Sequence, residues 1–209
     1  FLLSYFLGSI MGSLVMGRLR GGIDIRTMGS GNAGGTNALR TQGLAFALGV
    51  MVIDIGKGVI GTGFVPGIEL PFVGESPEVS REWLSLCCAA ASVIGHVWPM
   101  WHQFRGGKGA ATLVGTLIVL APDLLLPVTG AWVVVLVLSG YVGLATMLAG
   151  FTAPLVLAAS KLPDDQPLFI YCAVMAMYIV FSHRSNIQRM RCGEENRVHQ
   201  AMIFRRTQA

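Results

Sequence analysis

The sequence predicts an all-α, polytopic membrane protein, and three observations support this fold class. Hydrophobic residues make up 53% of the chain and charged residues only 12%, whereas a soluble domain carries about 25% charged residues. The mean hydropathy is +0.63. The apolar residues also come in blocks long enough to cross a bilayer, which takes roughly 17–25 residues. We therefore expect one integral membrane domain over residues 1–209, with a peripheral tail from about residue 197.

Seven apolar segments are predicted to form transmembrane helices. The first is expected to be a retained helix, because no small-residue cleavage site followed by a mature domain marks it as a cleavable signal. The sixth is short, so we expect it to be tilted or fused with the fifth through "MLAGF" at residues 147–151. The predicted spans are residues 1–18, 44–64, 83–103, 109–126, 129–147, 149–160 and 167–183.

The charged residues predict the orientation, because cytoplasmic loops are enriched in Lys and Arg. Of the fifteen basic residues only Arg81 and Lys161 fall on one side, and that side carries the acidic residues Glu69, Glu75, Glu78, Glu82, Asp123, Asp164 and Asp165. Three basic residues, Arg18, Lys57 and Lys108, lie at or near the helix ends of the opposite face. The other ten lie on that face: Arg20, Arg26, Arg40, Arg105, Arg184, Arg189, Arg191, Arg197, Arg205 and Arg206. The N-terminus is thus predicted outside and the C-terminus inside. The basic residues that give the net charge of +4 are explained by membrane topology and by binding of an anionic ligand. Nucleic acid is therefore not an expected partner.

The first of three polar motifs on the basic face is "MGSGNAGGTNALR", Met28–Arg40. Its glycines let the backbone turn tightly and approach a ligand, and successive N–H groups in such a loop can form an anion-binding nest. The alternative is a flexible interhelical loop, which would not need arginine, threonine and two asparagines. The motif is not the Walker pattern, so it does not indicate a nucleoside triphosphate. The candidate ligand groups are Ser30, Gly31, Asn32, Thr36, Asn37 and Arg40.

The second motif is "FRGGKGAAT", Phe104–Thr112, which lies where an apolar helix is predicted to begin. The N–H groups and the dipole of that helix start favour a bound anion. A phosphorylated headgroup could therefore bind at the interface while its acyl chain stays in lipid. The alternative is a cationic membrane anchor with a glycine turn. The candidate ligand groups are Gly106, Gly107, Lys108, Gly109 and Thr112.

The third motif is "SHRSNIQRM", Ser182–Met190, followed by "GEEN" at residues 193–196. His183 and Asn186 are three residues apart and share one face if the last helix continues. An interfacial, solvated histidine is the alternative for His183 alone. Glu195 is unusual on a basic face and is expected to order nearby arginines.

Three further ionisable residues lie inside predicted spans, where charges are costly and are paired or functional. His96 is either functional or a neutral imidazole satisfied by a neighbouring helix. Asp54 and Lys57 are expected to form a structural ion pair, with ligand binding as the alternative. Neither a disulfide framework nor a metal site is predicted, because no CxxC or Cys/His spacing connects Cys87, Cys88, Cys172 and Cys192.

The stretches "GSGNAGGTNALR", "GHVWPMWHQFRGGKGAAT" and "SHRSNIQRMRCGEENR" resemble the signatures of the bacterial acyl-phosphate:glycerol-3-phosphate acyltransferases, and the resemblance covers essentially the whole chain. Three positions depart from that family's usual residues: Gly35, Ala110 and Glu194. The resemblance implies acyl transfer from acyl phosphate to the 1-hydroxyl of glycerol 3-phosphate, giving lysophosphatidic acid and inorganic phosphate. It implies a bacterial inner-membrane location, a cytoplasmic active site and no cofactor. Because no carboxylate cluster faces the motifs, independence from divalent metal ions is also expected.

The same resemblance implies roles for individual residues. Ser30, Arg40 and Lys108 would hold the phosphates, His183 and Asn186 would position glycerol 3-phosphate, and Glu195 would brace the site. The base is either His183, whose ordinary pKa suits the task, or the phosphate of the donor. No serine or thiol is flanked by a convincing base, so a covalent acyl-enzyme is not expected.

Two other classes of function are considered. Other glycerolipid acyltransferases use an HxxxxD pair, but no histidine here has an aspartate five residues later, and acyl carrier protein or coenzyme A thioesters are not expected donors. A small organophosphate transporter could use the same anion-binding loops. Transporter sites, however, lie near the membrane midplane between repeats, whereas these motifs cluster at one interface and no internal repeat is evident.

Overall fold

The computed structural model describes residues 1–69 and 80–203, and every regular element in these ranges is helical. The chain divides into two compact units, Phe1–Pro122 and Asp123–Ala209. In the first unit the described helices are α1 (Leu2–Gly8), α2 (Gly12–Leu19), α3 (Gly35–Gln42), α4 (Leu44–Gly63), α5 (Arg81–Val97) and α6 (Ala110–Leu120). In the second they are α7 (Leu125–Ser139), α8 (Val142–Ser160), α9 (Gln166–Ser182) and α10 (Arg184–Arg191). The predicted all-α class is confirmed, and the single domain stays a prediction.

By length and composition, four to six spans could cross a membrane within the described residues. Four segments are long and apolar enough to span, and two bent pairs add one span each if each pair is counted once. The four segments contain α4, α5, α7 and α8 with their adjoining turns: Leu44–Gly67, Arg81–His102, Pro122–Ser139 and Val142–Ser160. Helix α6 has 11 residues, or about 16 Å, which is short of the bilayer core of about 30 Å. The predicted count of seven is not confirmed, and the orientation of the termini stays a prediction. Four residues that were assigned to a side of the membrane lie outside the described residues: Glu75, Glu78, Arg205 and Arg206.

The predicted boundary near residue 148 is wrong, whereas the alternative of a continuous helix through residues 147–151 is confirmed. The chain turns at Gly140, whose φ of +76° lies in the left-handed region that favours glycine, and Ser139 Oγ accepts the N–H of Tyr141 at 3.2 Å. Residues 147–151 lie inside α8, where Gly150 packs on Ala176 of α9 and does not break the helix. A glycine that packs closely against a neighbouring helix is compatible with a continuous helix. The short helix expected at 149–160 is therefore the second half of the 19-residue α8.

Two other segments differ from the sequence-based expectation. The first span is broken after Gly8, and α1 and α2 meet at 45°. The interhelical segment that carries the first motif contains α3, which begins after Gly34 and ends at Gly43, where φ is +82°. Thr36, Asn37 and Arg40 therefore lie on a helix rather than in an irregular loop.

Helix α4 is the centre of the first unit and packs against α1, α2, α3, α5 and α6. A buried cluster joins α3 to α4: Ile25, Ala38, Phe46, Ala47 and Val50. Helix α6 approaches α4 closely where Gly115 of α6 faces Gly58 of α4. A β-carbon on Gly58 would lie 3.1 Å from Cα of Gly115 and would clash with the carbonyl of Thr112. Small residues allow this close approach of two membrane helices. Helix α4 thus supports both glycine-containing motifs.

In the second unit, α8 packs between α7 and α9, and α10 returns against α8. The chain after α10 is attached to the α7–α8 turn. The N–H of Val198 donates to the carbonyl of Gly140 at 2.8 Å, and the guanidinium of Arg197 lies 4.5 Å from the ring centroid of Tyr141, a distance suited to a cation–π contact. These contacts fix the segment that carries Glu195.

Candidate active site

The first glycine loop is organised by one buried side chain, Asn37, which is 1% exposed. Its Nδ2 donates to the carbonyls of Ile25 at 2.9 Å, Met28 at 3.1 Å and Asn32 at 2.9 Å. Its Oδ1 accepts the N–H of Ser30 at 3.0 Å. Because both ends of this amide are engaged by the backbone, Asn37 determines the shape of the loop.

The groups that this loop presents outward are small and polar, with one cation beside them. Ser30 and Gly31 are exposed, and Asn32 and Thr36 are partly exposed. Arg40 is exposed in the last turn of α3. Gly31 has a φ of +71°, a conformation that a residue with a side chain rarely adopts. The loop therefore turns sharply with its outer surface open to a ligand.

The second glycine loop folds back onto the end of α5. The N–H of Gly106 donates to the carbonyl of Val97 at 3.2 Å, and that of Gly107 donates to the carbonyl of His96 at 3.1 Å. A β-carbon on Gly107 would overlap Nε2 of the His96 ring. Gly106 and Gly107, predicted from sequence as anion ligands, thus donate their N–H groups to the protein backbone. Only glycine fits at position 107.

The rest of this loop leads into α6. Gly109 precedes the helix with a φ of +88°, and Lys108 is half-buried beside it. The first N–H groups of a helix have no intrahelical acceptor, so the N-terminus of α6 attracts an anion. Thr112, also predicted as a ligand, is fully buried. Among the described residues its Oγ1 has no hydrogen-bond partner.

Arg26 connects the two glycine loops. Its Nη1 donates to the carbonyl of Arg105 at 3.2 Å, and its Nη2 lies 2.7 Å from Oδ2 of Asp24. This hydrogen-bonded guanidinium holds the pKa of the Asp24 carboxyl below its ordinary value. The segment before the first loop is therefore attached to the segment before the second.

Both loops also rest on one face of α4. A β-carbon on Gly35, at the start of α3, would lie 3.0 Å from Cγ of Met51. Gly58 contacts the carbonyl of Thr112 at the start of α6. Met51 and Gly58 are two helical turns apart on the same face, a separation of about 10 Å. The first unit therefore brings together the two motifs that the sequence separates.

A buried ionic cluster lies behind the second loop. Nζ of Lys57 is 3.1 Å from Oδ1 of Asp54, and both side chains are at most 3% exposed. Lys57 Nζ donates to the carbonyl of Ile10 at 2.6 Å, and Asp54 Oδ1 accepts the N–H of Gly12 at 3.2 Å. Nδ1 of His96 lies 3.4 Å from the same carboxylate oxygen. The expected ion pair is present, and it supplies partners for the backbone at the break between α1 and α2.

The second unit carries the third motif, and His183 is the residue where α9 ends and α10 begins. The ring is buried, with Nδ1 2.8 Å from the carbonyl of Ile179 and 3.2 Å from Oγ of Ser182. Because a carbonyl oxygen only accepts hydrogen bonds, Nδ1 carries a proton. In the neutral ring Nε2 is then unprotonated, so it can accept a hydrogen bond from a substrate hydroxyl.

Asn186 and Glu195 are in direct contact. Nδ2 of Asn186 donates to Oε1 of Glu195 at 2.7 Å, and Nε of Arg189 donates to Oε2 at 2.7 Å. The Glu195 side chain is only 5% exposed. A β-carbon on Gly143 of α8 would lie 2.8 Å from Nδ2 of Asn186, so that amide is held between α8 and the tail. Glu195 therefore fixes the orientation of Asn186.

One of these contributors, Arg26, was not predicted from the sequence, although the spacing of Asp24 and Arg26 indicates a local ion pair. The expectation that Glu195 orders nearby arginines is confirmed, and the arginine is Arg189. The first unit thus carries Ser30, Arg40 and Lys108, and the second carries His183, Asn186 and Glu195. Participation of all six in one reaction stays a prediction.

Comparison with known proteins identifies the family. The sequence model described as glycerol-3-phosphate acyltransferase matches residues 1–193. The glycerol-3-phosphate acyltransferase of Chlorobaculum tepidum is 38% identical over 216 residues, which cover 93% of each chain. That of Chlorobium luteolum is 37% identical over 219 residues, again with 93% of each chain covered.

Two solved structures are similar to the whole fold. Both are crystal structures of PlsY (YgiH), an integral membrane glycerol 3-phosphate acyltransferase, in a glycerol 3-phosphate form and a lysophosphatidic acid form. They are 30% identical to this chain and cover 94% of it and 92% of their own length, with TM-scores of 0.78 and 0.77. The protein is therefore an integral membrane acyltransferase that belongs to the glycerol-3-phosphate acyltransferase family.

Proposed function

We propose that this enzyme transfers the acyl group of an acyl phosphate to the 1-hydroxyl of glycerol 3-phosphate, and that lysophosphatidic acid and inorganic phosphate are the products. The two related crystal structures are described as glycerol 3-phosphate and lysophosphatidic acid forms, which supports this acceptor and this product. The observation that carries the proposal is the pair of connected glycine loops on α4, each accompanied by a cation, Arg40 or Lys108.

An acyl phosphate fits these loops better than a thioester does. The reaction needs anion binding for the phosphate of the acceptor and, with this donor, for a leaving group that is itself a phosphate. Cationic side chains and a helix N-terminus stabilise the charge that develops on that leaving group. A donor of this kind also keeps its acyl chain in the bilayer, beside the exposed apolar surface of the helices.

The chemistry balances without a cofactor. The 1-hydroxyl oxygen attacks the acyl carbonyl carbon, and the new ester C–O bond forms as the bond from that carbon to the phosphate oxygen breaks. The bonding electrons leave with the phosphate. The hydroxyl proton passes to the departing phosphate, or to His183 Nε2 as the alternative. Because an acyl phosphate is already activated, holding the two substrates in position accounts for most of the acceleration.

We assign roles as follows. Ser30, Arg40 and Lys108 bind the phosphates, and His183 and Asn186 orient the acceptor. Asn37 shapes the first loop without itself contacting substrate, since both ends of its amide are engaged by the backbone. Glu195 acts by holding Asn186.

The donor is tested with purified protein in detergent and labelled glycerol 3-phosphate. We expect labelled lysophosphatidic acid with a long-chain acyl phosphate, and none with the coenzyme A thioester of the same acyl chain. Equal or faster product formation with the thioester would overturn the assignment of the donor. The heat-inactivated enzyme with acyl phosphate gives the background of spontaneous transfer.

The role of His183 is tested by comparing His183→Gln with His183→Ala. The glutamine amide oxygen can accept a hydrogen bond near the position of Nε2 but cannot take up a proton. If the donor phosphate is the base and His183 only positions the acceptor, we expect His183→Gln to retain turnover within about tenfold, and His183→Ala to lose roughly 100-fold. Loss of turnover in both variants with unchanged affinity for glycerol 3-phosphate would instead assign the base to His183.

The proposed location is the bacterial inner membrane, with the site on its cytoplasmic face. Cys87 and Cys192 are exposed and are first replaced by serine. In that background we expect Thr27→Cys, before the first loop, to react with a membrane-impermeant maleimide only in inside-out vesicles. Ser160→Cys, at the end of α8, should react only in right-side-out vesicles. Labelling of both from one side would contradict the proposed orientation.

A further inference from the structure

The break between α1 and α2 leaves backbone groups that need polar partners inside the membrane protein, because lipid offers none. Two charged side chains of α4 supply them. Lys57 Nζ donates to the carbonyl of Ile10 at 2.6 Å, and Asp54 Oδ1 accepts the N–H of Gly12 at 3.2 Å. The pair therefore holds the two half-helices in a fixed arrangement on α4.

His96 extends this buried cluster toward the second glycine loop. It lies in the last turn of α5, and its side chain is 3% exposed with Nδ1 3.4 Å from Asp54 Oδ1. On its other edge, Nε2 lies directly against Gly107. The backbone carbonyl of the same residue accepts the Gly107 N–H at 3.1 Å. His96 thus contacts the loop with both its ring and its backbone.

We propose that His96, packed beside the Asp54–Lys57 pair, is a positioning residue for the acyl-transfer reaction. It sets the backbone at Gly107 and thereby the position of Lys108 and of the first turn of α6. This inference rests on the proposed function of Lys108 in phosphate binding. His96 itself acts through the loop and contacts no reacting atom.

A purely structural function of the cluster, in which it only joins α1 to α2, predicts a different outcome. In that case any loss of activity in a variant follows its loss of stability. A positioning function predicts that activity falls further than stability does, because a displacement of about 1 Å at a reacting centre can lower turnover by about 100-fold.

The test variant is His96→Asn. The shorter side chain places an amide beside Asp54, whose Oδ1 lies 3.4 Å from His96 Nδ1 in the wild type, but no longer reaches Gly107, and the Asp54–Lys57 pair remains intact. The matched control is Ser92→Ala, one turn earlier on α5. Ser92 is also fully buried, and its Oγ donates to the carbonyls of Cys88 at 3.1 Å and Ser4 at 3.4 Å. It belongs to the contact between α5 and α1, and neither of these hydrogen bonds involves the loop.

The first measurement is hydrogen–deuterium exchange of the peptides that cover residues 104–112, in detergent and without substrate. We expect faster exchange in His96→Asn and unchanged exchange in Ser92→Ala. This readout does not depend on catalysis. An inactive wild-type enzyme would count against the proposed function alone, and unchanged exchange in His96→Asn would overturn the positioning function alone.

The second measurement is a double-mutant cycle on kcat with Lys108→Arg, which keeps the charge but changes its position. If His96 acts through Lys108, the effect of His96→Asn, up to about 100-fold in the wild-type background, becomes much smaller in the Lys108→Arg background. His96→Gln, whose longer side chain reaches toward the loop, should restore part of kcat. The inference would be overturned if the effects of His96→Asn and Lys108→Arg on kcat were independent and multiplied. It would also be overturned if the loss of kcat followed the unfolding temperature in both His96→Asn and Ser92→Ala.

Discussion

Replacing Lys108 or Arg40 by alanine is expected to lower kcat/KM for acyl transfer by roughly 100- to 1,000-fold in each case, the usual cost of removing one preorganised group that stabilises transition-state charge. Each side chain stands beside a glycine loop whose backbone is fixed by internal hydrogen bonds. Removal of the cation therefore leaves the loop in place and deletes one partner of a phosphate. Initial rates of phosphate release and of lysophosphatidic acid formation measure the effect.

The conservative variants refine this prediction. Arg40→Lys should also lose activity, because an ammonium cannot reproduce the forked pair of donors that a guanidinium offers to a phosphate. The control is Arg20→Ala, which removes an exposed arginine from the same basic face and should leave turnover unchanged. Near-normal turnover in Arg40→Ala or Lys108→Ala would remove the basis for assigning that residue to phosphate binding.

The second large effect concerns stability. Asp54→Ala is expected to lower the free energy of unfolding by about 3–5 kcal/mol, because it leaves the buried ammonium of Lys57 without its counter-charge. The N–H of Gly12 loses its acceptor at the same time. Thermal unfolding of the purified protein in detergent, with the loss of helical circular dichroism as the signal, measures the change.

A double variant separates the charge from the packing. Asp54→Leu combined with Lys57→Met removes both charges, so its destabilisation should be smaller than the sum of the two single changes. The matched control is the exposed pair of Asp123 and Lys161, which are 2.8 Å apart with side chains 54% and 37% exposed. Asp123→Ala should change the unfolding temperature little. Additive single effects at Asp54 and Lys57 would contradict the account of the buried cluster.

The long apolar helices could be predicted from sequence because hydropathy reports them directly. Helix α4 begins where it was predicted and ends one residue earlier, and α9 agrees within one residue at each end. The break between α1 and α2 could not be predicted. It is stabilised by Asp54 and Lys57, which lie more than 40 residues away in the sequence, and hydropathy contains no information on such contacts.

Glycine caused the other errors because its effect depends on its neighbours. A turn was expected between residues 147 and 149, but this stretch lies inside α8, where the nearby Gly150 packs against Ala176, whereas Gly140 supplies the left-handed turn. Composition alone does not distinguish these two uses. The helical state of Thr36–Arg40 was missed for a similar reason, since the glycines around α3 masked its short amphipathic pattern.

The candidate site was predictable as a set of residues but not as a set of roles. The motifs contain Asn37, Gly107 and Thr112 as well as Arg40 and Lys108. The structure distinguishes their roles. Asn37 and Gly107 form hydrogen bonds with backbone carbonyls of the protein, and Thr112 is buried. Sequence spacing cannot tell a glycine that binds an anion from one that makes room for a histidine ring.

Release of inorganic phosphate in four parallel reactions tests whether the cationic glycine loops of this membrane protein hold phosphate groups for acyl transfer. Purified enzyme is given acyl phosphate and glycerol 3-phosphate together, each substrate alone, or neither. We predict release only with both substrates, in a one-to-one ratio with lysophosphatidic acid. Phosphate release that does not depend on glycerol 3-phosphate, or no release with both substrates present, would contradict the account.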